Sequence, residues 1–205
     1  MAQVNHGLWS LLTRARTYDF LQSILGAPNA RRVLARKYIQ AQPGMRVLDI
    51  GCGTGSILTF LPQVDYLGFD LNPAYIEAAQ TRFGERGRFL CADVNAAPRE
   101  AVGTFDRILA LSLLHHLEDA EVIALMSVAC RLLAPQGRLV TVDPCYKLGQ
   151  PAAARFLIHR DRGRNIRTAQ SYAELARTAF SSVEAEVRQD LLRVPYTHAI
   201  LSCRT

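Results

Sequence analysis

The chain has 205 residues, 49% of them hydrophobic, enough to bury one full-sized core. No uninterrupted apolar run reaches the length of a membrane span, and five cysteines without CxxC spacing give no zinc pattern and point to free thiols in a reducing compartment. The first residues carry no apolar segment with a cleavage site, so the expected location is cytoplasmic. A net charge of +6 is moderate, and where it lies matters more than its size.

In chain order, residues 1–43 read as helical. Leu8, Leu11 and Leu12, then Leu21, Ile24 and Leu25, recur at helical spacing, and a second stretch from Ala30 to Ile39 carries Arg31, Arg32, Arg36 and Lys37. Gly26-Ala27-Pro28-Asn29 separates the two, and Gln42-Pro43-Gly44 precedes the first strand. The expected organisation is an N-terminal helical lid over 1–43 and a single globular unit over 44–205.

From residue 46 the pattern alternates strand and helix, which implies an α/β fold with a parallel sheet and helices on both faces. Strands are expected at 46–50, 65–69, 87–91, 105–111 and 137–142, and helices near 55–61, 73–83, 118–133 and 168–179. Asn72-Pro73 is an N-cap followed by proline at the first helical position. Val183 to Leu192 and Tyr196 to Cys203 alternate without an intervening helix, so they pair antiparallel and close the sheet. Residues 144–167 read as irregular and basic, with Arg155, His159, Arg160, Arg162, Arg164 and Arg167 against the single acid Asp161.

The densest chemical signal is Val47-Leu48-Asp49-Ile50-Gly51-Cys52-Gly53-Thr54-Gly55, a strand, a glycine turn and a helix start. A second strand ends in Asp70, about 20 positions on, where an acidic residue commonly grips a ribose diol. The nicotinamide and flavin fingerprint needs glycine or alanine three positions after its second glycine, and that position is Ser56. The turn has no lysine for a nucleotide's phosphates, which excludes a P-loop.

This turn resembles motif I of the class I S-adenosylmethionine-dependent methyltransferases of the small-molecule type, and four further segments follow at that family's spacing. They are Asp70, Cys91-Ala92-Asp93-Val94, Phe105-Asp106-Arg107-Ile108 with Leu111-Ser112-Leu113-Leu114-His115-His116-Leu117, and Leu132-Leu133-Ala134-Pro135-Gln136-Gly137-Arg138-Leu139. The resemblance covers roughly residues 44–143. It implies a Rossmann-like, seven-stranded, mostly parallel sheet with a C-terminal antiparallel hairpin, and S-adenosyl-L-methionine as methyl donor with S-adenosyl-L-homocysteine as product. No metal is expected. On this resemblance the donor site comprises Asp49, Gly51, Cys52, Gly53, Gly55, Asp70, Leu71, Asp93, Val94 and Leu111. The backbone N–H groups of Gly51 to Gly55 would meet the donor's carboxylate, Asp70 both ribose hydroxyls and Asp93 the adenine amine. The plain alternative is that Asp70 and Asp93 cap the helices after them.

The acceptor side is less defined. Asp143-Pro144-Cys145-Tyr146 is similar to the (D/N)PP(Y/F) signature of amino-group methyltransferases, but it follows the fifth strand rather than the fourth and has Cys145 for the second proline. Cys145 reads better as a packing residue than as a nucleophile. Tyr146 is expected in the wall of the acceptor pocket and is, with His116, a weak catalytic candidate. His115 and His116 lie where the fourth strand opens on the site; either could act as a base, with His116 the weak catalytic candidate, although a structural role fits both better. Arg162 and Arg164 are candidates to grip an anionic acceptor, against a solvated basic loop. Aromatic interleaving is sparse, which argues against nucleic acid.

The expected function is methyl transfer to an O or N atom of a small or medium-sized, anionic acceptor. The alternatives are an RNA or protein methyltransferase and a non-enzymatic donor-binding accessory module. Oligomeric state is left open by the sequence.

Overall fold

A computed structural model describes residues 26–94, 103–161 and 163–205. Among the described residues eight strands form: β1 Arg46–Ile50, β2 Asp65–Asp70, β3 Gly87–Cys91, β4 Phe105–Leu111, β5 Leu133–Tyr146, β6 Arg167–Thr168, β7 Ser182–Arg188 and β8 His198–Arg204. Seven follow the order β3-β2-β1-β4-β5-β8-β7, and the two-residue β6 pairs beside β5 off this path. Strands β1 to β5 run parallel, while β8 is antiparallel to both β5 and β7. The hairpin read from alternation is therefore present, with β8 folded back between β5 and β7.

Burial on both faces explains the strand composition. Val47, Leu48, Asp49 and Ile50 of β1 are all buried, as a central parallel strand requires. The helices are α1 Ala27–Val33, α2 Pro73–Phe83, α3 Asp119–Leu132, α4 Ala152–His159 and α5 Ala169–Ala176. One face of the sheet packs on α3 and α5 through Val122, Met126, Leu132, Tyr172 and Ala176. The other packs on α1, α2 and the segment between them through Leu34, Ile39, Leu58, Ile76 and Phe83.

Four strand starts, Arg46, Asp65, Gly87 and Phe105, coincide with the expected ones. The α2 start also holds: Asn72 Oδ1 accepts from Ala74 N at 3.0 Å, with Pro73 opening the helix. Three readings are corrected. The expected helix at 55–61 is a 3₁₀ turn over Ser56–Phe60, stopped by Leu61-Pro62. β5 extends back to Leu133 and forward to Tyr146, with Gln136 taking φ +63° in its irregular start. Within the stretch read as irregular lie α4 and β6; the proline signal missed was Pro151, at the N-cap of α4.

The described part of the expected lid packs against the sheet. After α1 the backbone winds into a π-turn over Leu34–Ile39, and Leu34, Ala35, Tyr38 and Ile39 are buried. Arg107 Nε donates to Ile39 O at 2.6 Å and Arg138 to Tyr38 O at 2.9 Å, tying this segment to β4 and β5. Residues 1–25 of the lid lie outside the described residues.

Candidate functional site

Parallel sheets offer ligands a crevice beyond the C-terminal ends of their strands, where the order reverses. Here the connections leave β1 on one side and β4 on the other, and a cleft of about 1230 Å³ opens over their ends. It is lined by Asp49, Gly51, Cys52, Gly53, Asp70, Leu71, Asp93, Val94 and Leu111 of the expected donor residues. Gly55 is the exception: it does not line the cleft, and its φ of +67° brings its Cα against Phe89, where a Cβ would sit 2.9 Å from Cε1. Glycine is required there by packing and backbone, not by a ligand. Gly53 (φ +54°) is the opposite case, since nothing lies within 4 Å of where its Cβ would be.

The loop amides are already engaged. Gly51 N and Cys52 N donate to Phe69 O at 2.8 and 2.9 Å, and Gly55 N donates to Cys52 O at 2.9 Å. Gly53 N donates to Asp70 Oδ2 at 2.9 Å, while Asp70 Oδ1 accepts from Asn72 N at 2.8 Å. The expected cradle of free N–H groups is thus replaced by a loop braced on the end of β2. Asp70 holds the loop and the turn before α2, and each oxygen keeps a second lone pair for a ligand. Asp93 is exposed at the cleft edge.

Asp49 is the buried charge of this half. It is 2% exposed; Tyr66 OH donates to Oδ2 at 2.5 Å, whereas Oδ1 has no partner among the described residues. Burial pushes its carboxyl up to about 7.

The other half of the cleft centres on His115, in the 3₁₀ turn Leu114–His116 after β4. Its Nδ1 lies 2.8 Å from Asp143 Oδ1 on β5, and its Nε2 lies 3.3 Å from Asp161 Oδ1 after α4. Burial works to lower its pKa, but the two carboxylates override it and hold the ring at about 9. His115 also holds Asp161 well below the usual carboxylate range despite that residue's partial burial. Gly163 lies on the ring, where a Cβ would come within 2.1 Å of His115 Cδ2, and Asn165 N donates to His115 O at 3.0 Å. His115 is therefore a protonated clamp. His116 stacks on it with ring centroids 4.0 Å apart, and both histidines line the cleft. Ser112, at the exit of β4, takes φ +58°, a conformation costly for a residue with a side chain.

The remaining candidates fall away from the cleft. Tyr146 is half-buried at the end of β5 and does not line it; Pro144, two residues earlier, does. Cys145 is fully buried with its thiol pushed up to about 12 by that burial, which fits packing and not nucleophilic attack. Arg164 is exposed and does not line the cleft, and Arg162 lies outside the described residues. Arg167 is a structural tie, donating to Asp119 Oδ1, Leu114 O and Leu117 O at 2.8–3.0 Å. Of that segment's charged residues, Arg160 and Asp161 line the cleft, together with Leu157. Sequence reading missed Asp161, Tyr196 and His198 as cleft residues, because their convergence depends on tertiary pairing. Among the described residues no group of three or more His, Cys, Asp or Glu side chains could hold a metal, and no helix is long and apolar enough to cross a membrane.

Residues 47–137 match the family model described as a methyltransferase domain. Probable tRNA methyltransferase 9B of Mus musculus is 37% identical over 108 residues, 51% of this chain and 23% of that protein. Phosphoethanolamine N-methyltransferase 3 of Arabidopsis thaliana is 28% identical over 158 residues, 74% of this chain and 32% of that protein. The chain thus spans about a quarter to a third of the curated relatives it matches. A solved TehB-like SAM-dependent methyltransferase from Corynebacterium glutamicum superposes with a TM-score of 0.65 at 20% identity, covering 97% of this chain and all of that one, and so shares its fold.

Proposed function

We propose, on the methyltransferase-domain match over residues 47–137, that the chain is a class I S-adenosylmethionine-dependent methyltransferase and transfers a methyl group to an O or N atom of a small or medium-sized acceptor. The observation that carries this reading is that the glycine loop, Asp49, Asp70 and Asp93 share one cleft with an apolar wall that includes Leu113, Pro144, Leu157, Leu192 and Val194.

The residues fit the donor on two features of this chain. Asp49 Oδ1 is a buried acceptor without a partner, suited to the donor's ammonium group, and Gly53 leaves open space over the loop. Asp70 would accept from the ribose hydroxyls and Asp93 from the adenine amine. The loop would act chiefly by shape, since four of its amides are already bonded. When bound, S-adenosylmethionine supplies a methyl group already activated on a sulfonium. The protein's share is orientation and exclusion of water, which can supply about 7–11 kcal/mol. α1, through Ala27, Ala30 and Arg31, and Leu34 just after it line one side of the cleft, and we assign residues 1–43 the role of a cover over the donor.

His115 is held protonated at neutral pH and is unsuited to remove a proton. Where the acceptor atom must lose one, His116 is the better placed histidine, being half-buried on the cleft wall. The relatives named above supply two acceptor classes, a phosphorylated amine and a tRNA. The mixed charge of the lining, with Arg31 and Arg160 against Asp93, Glu121 and Asp161, argues against a polyanionic tRNA and for a small acceptor, without favouring a phosphorylated one.

The test uses the full chain and methyl-labelled donor against a panel of small amines and phenols. Adenosylhomocysteine should bind in calorimetry, and label should pass to a small molecule. Absence of donor binding removes the reading; donor binding with no transfer to any acceptor, RNA and protein included, makes the chain an accessory module.

A further inference from the structure

We infer that the acceptor compartment recognises a largely apolar, uncharged molecule through one hydrogen bond, from the His198 imidazole to an oxygen of that molecule, a hydroxyl or a carbonyl. This rests on the reading of the cleft as a methyl-transfer site.

His198 opens β8 and pairs with Pro144 of β5. It lines the cleft and is only 9% exposed. Its ring stacks beside Tyr196 with centroids 5.0 Å apart. Neither ring nitrogen has a hydrogen-bond partner among the described residues, and Nδ1 is fully shielded. A buried polar atom without a partner is uncommon and costs stability unless something else uses it.

Burial, with the cationic His115 nearby, pushes the His198 pKa down to about 4 against the opposing pull of Asp161, so the ring is neutral at pH 7. A neutral imidazole has one N–H and one lone pair. An orphaned buried N–H is rarer than an orphaned acceptor, so the proton belongs on Nε2 and the lone pair on the shielded Nδ1. His198 then offers the cleft an N–H donor.

The surroundings select against charge. Around His198 the cleft wall carries Leu113, Pro144, Leu157, Leu192, Val194 and Tyr196, with the charged Arg160 and Asp161 on the same side. The nearest acid, Asp161, is already held by His115 and by Tyr196 OH. The nearest cation, His115, is paired with two carboxylates. The other cation of this wall, Arg160, is exposed to solvent and stacked on Phe156, so an anion buried beside His198 would gain little from it, while an apolar body with one oxygen loses little.

The experiment titrates the full chain with 1-naphthol, naphthalene and 1-naphthoate by calorimetry, with and without adenosylhomocysteine, whose own affinity is measured separately. 1-Naphthol should bind about tenfold more tightly than naphthalene and more tightly than 1-naphthoate. In His198→Leu, naphthalene binding should persist and the preference for naphthol disappear; in His198→Gln, which keeps a side-chain N–H, part of it should return. The ¹⁵N imidazole shift of His198 should move with naphthol and stay with naphthalene. Equal binding of naphthol and naphthalene, a preference surviving in His198→Leu, tighter naphthoate binding, or no binding of any probe each overturns the inference. Failure of adenosylhomocysteine to bind strikes the methyl-transfer reading instead.

Discussion

The two halves of the cleft are built by different means. In the donor half, residues 49–94 meet through neighbouring strand ends, and backbone amides do most of the bracing: Asp70 takes two, and Phe69 O takes two more. In the acceptor half, side chains from β4, β5, α4 and β8 converge across as many as 83 positions of chain, His115 to His198, and one charged ring ties Asp143 to Asp161. A site made from local backbone should survive the loss of a single side chain as a shape. One tied by a buried charge should not.

Breaking the acceptor half therefore carries the largest expected effect. His115→Leu leaves the buried Asp143 carboxylate without its ring partner, a change of a kind that costs about 3–5 kcal/mol. Chemical unfolding should show that loss, while any folded fraction keeps its affinity for adenosylhomocysteine. The parent protein should show a matching pH dependence. The folded pKa of His115, about 9, lies above its ordinary value near 6.5, so its stabilisation is complete below about pH 6.5 and is lost as pH rises through 9. A parent whose stability is flat over that window, alongside a variant of equal stability, would remove the clamp.

In the donor half the corresponding break is Asp70→Ala. It removes a brace on Gly53 and the proposed acceptor for the ribose, and the charged hydrogen bonds at stake are worth about 1.5–3 kcal/mol each. Adenosylhomocysteine affinity should fall about 100-fold with the fold intact. Unchanged affinity would leave Asp70 only its cap on the turn before α2.

Asp49 sharpens the comparison by a smaller amount. With a carboxyl raised to about 7, roughly a tenth of it is ionised at pH 6 and nine tenths at pH 8. If the ionised form receives the donor's ammonium, affinity should climb about tenfold between those pH values, and Asp49→Asn should flatten the profile. The same raised pKa means that Asp49 favours the fold below about pH 4 and progressively less as pH rises to 7.

The halves also differ in how far the sequence exposes them. The glycine turn, Asp70 and Asp93 could be read in order because local chain geometry fixes them: a strand must end before a turn, and an N-cap must precede Pro73. The acceptor half could not. Asp161 lies in a stretch that reads as a basic loop, and its role depends on α4 folding back to put it against His115. His198 reads as one more residue of an alternating strand, and only its pairing with Pro144 brings it to the cleft. Even in the legible half, sequence missed what the glycines do, since Gly55 serves Phe89 and the loop amides serve Phe69 and Asp70.

The smallest expected effect belongs to the residue that charge counting favours most. Arg164 stands in the densest run of arginines, yet it is exposed and off the cleft, and the neighbours that do bond, Asp161 and Arg167, are held by His115 and Asp119. A solvated guanidinium without a buried partner contributes little, typically within about 0.5 kcal/mol. Arg164→Ala should therefore change donor affinity, acceptor KM and unfolding midpoint by less than about twofold in any equilibrium constant. A clear rise in acceptor KM with donor affinity unchanged would mean that the segment after α4 closes over the acceptor during turnover. The acceptor half would then owe its selectivity to charge at its mouth and not to the apolar wall around His198.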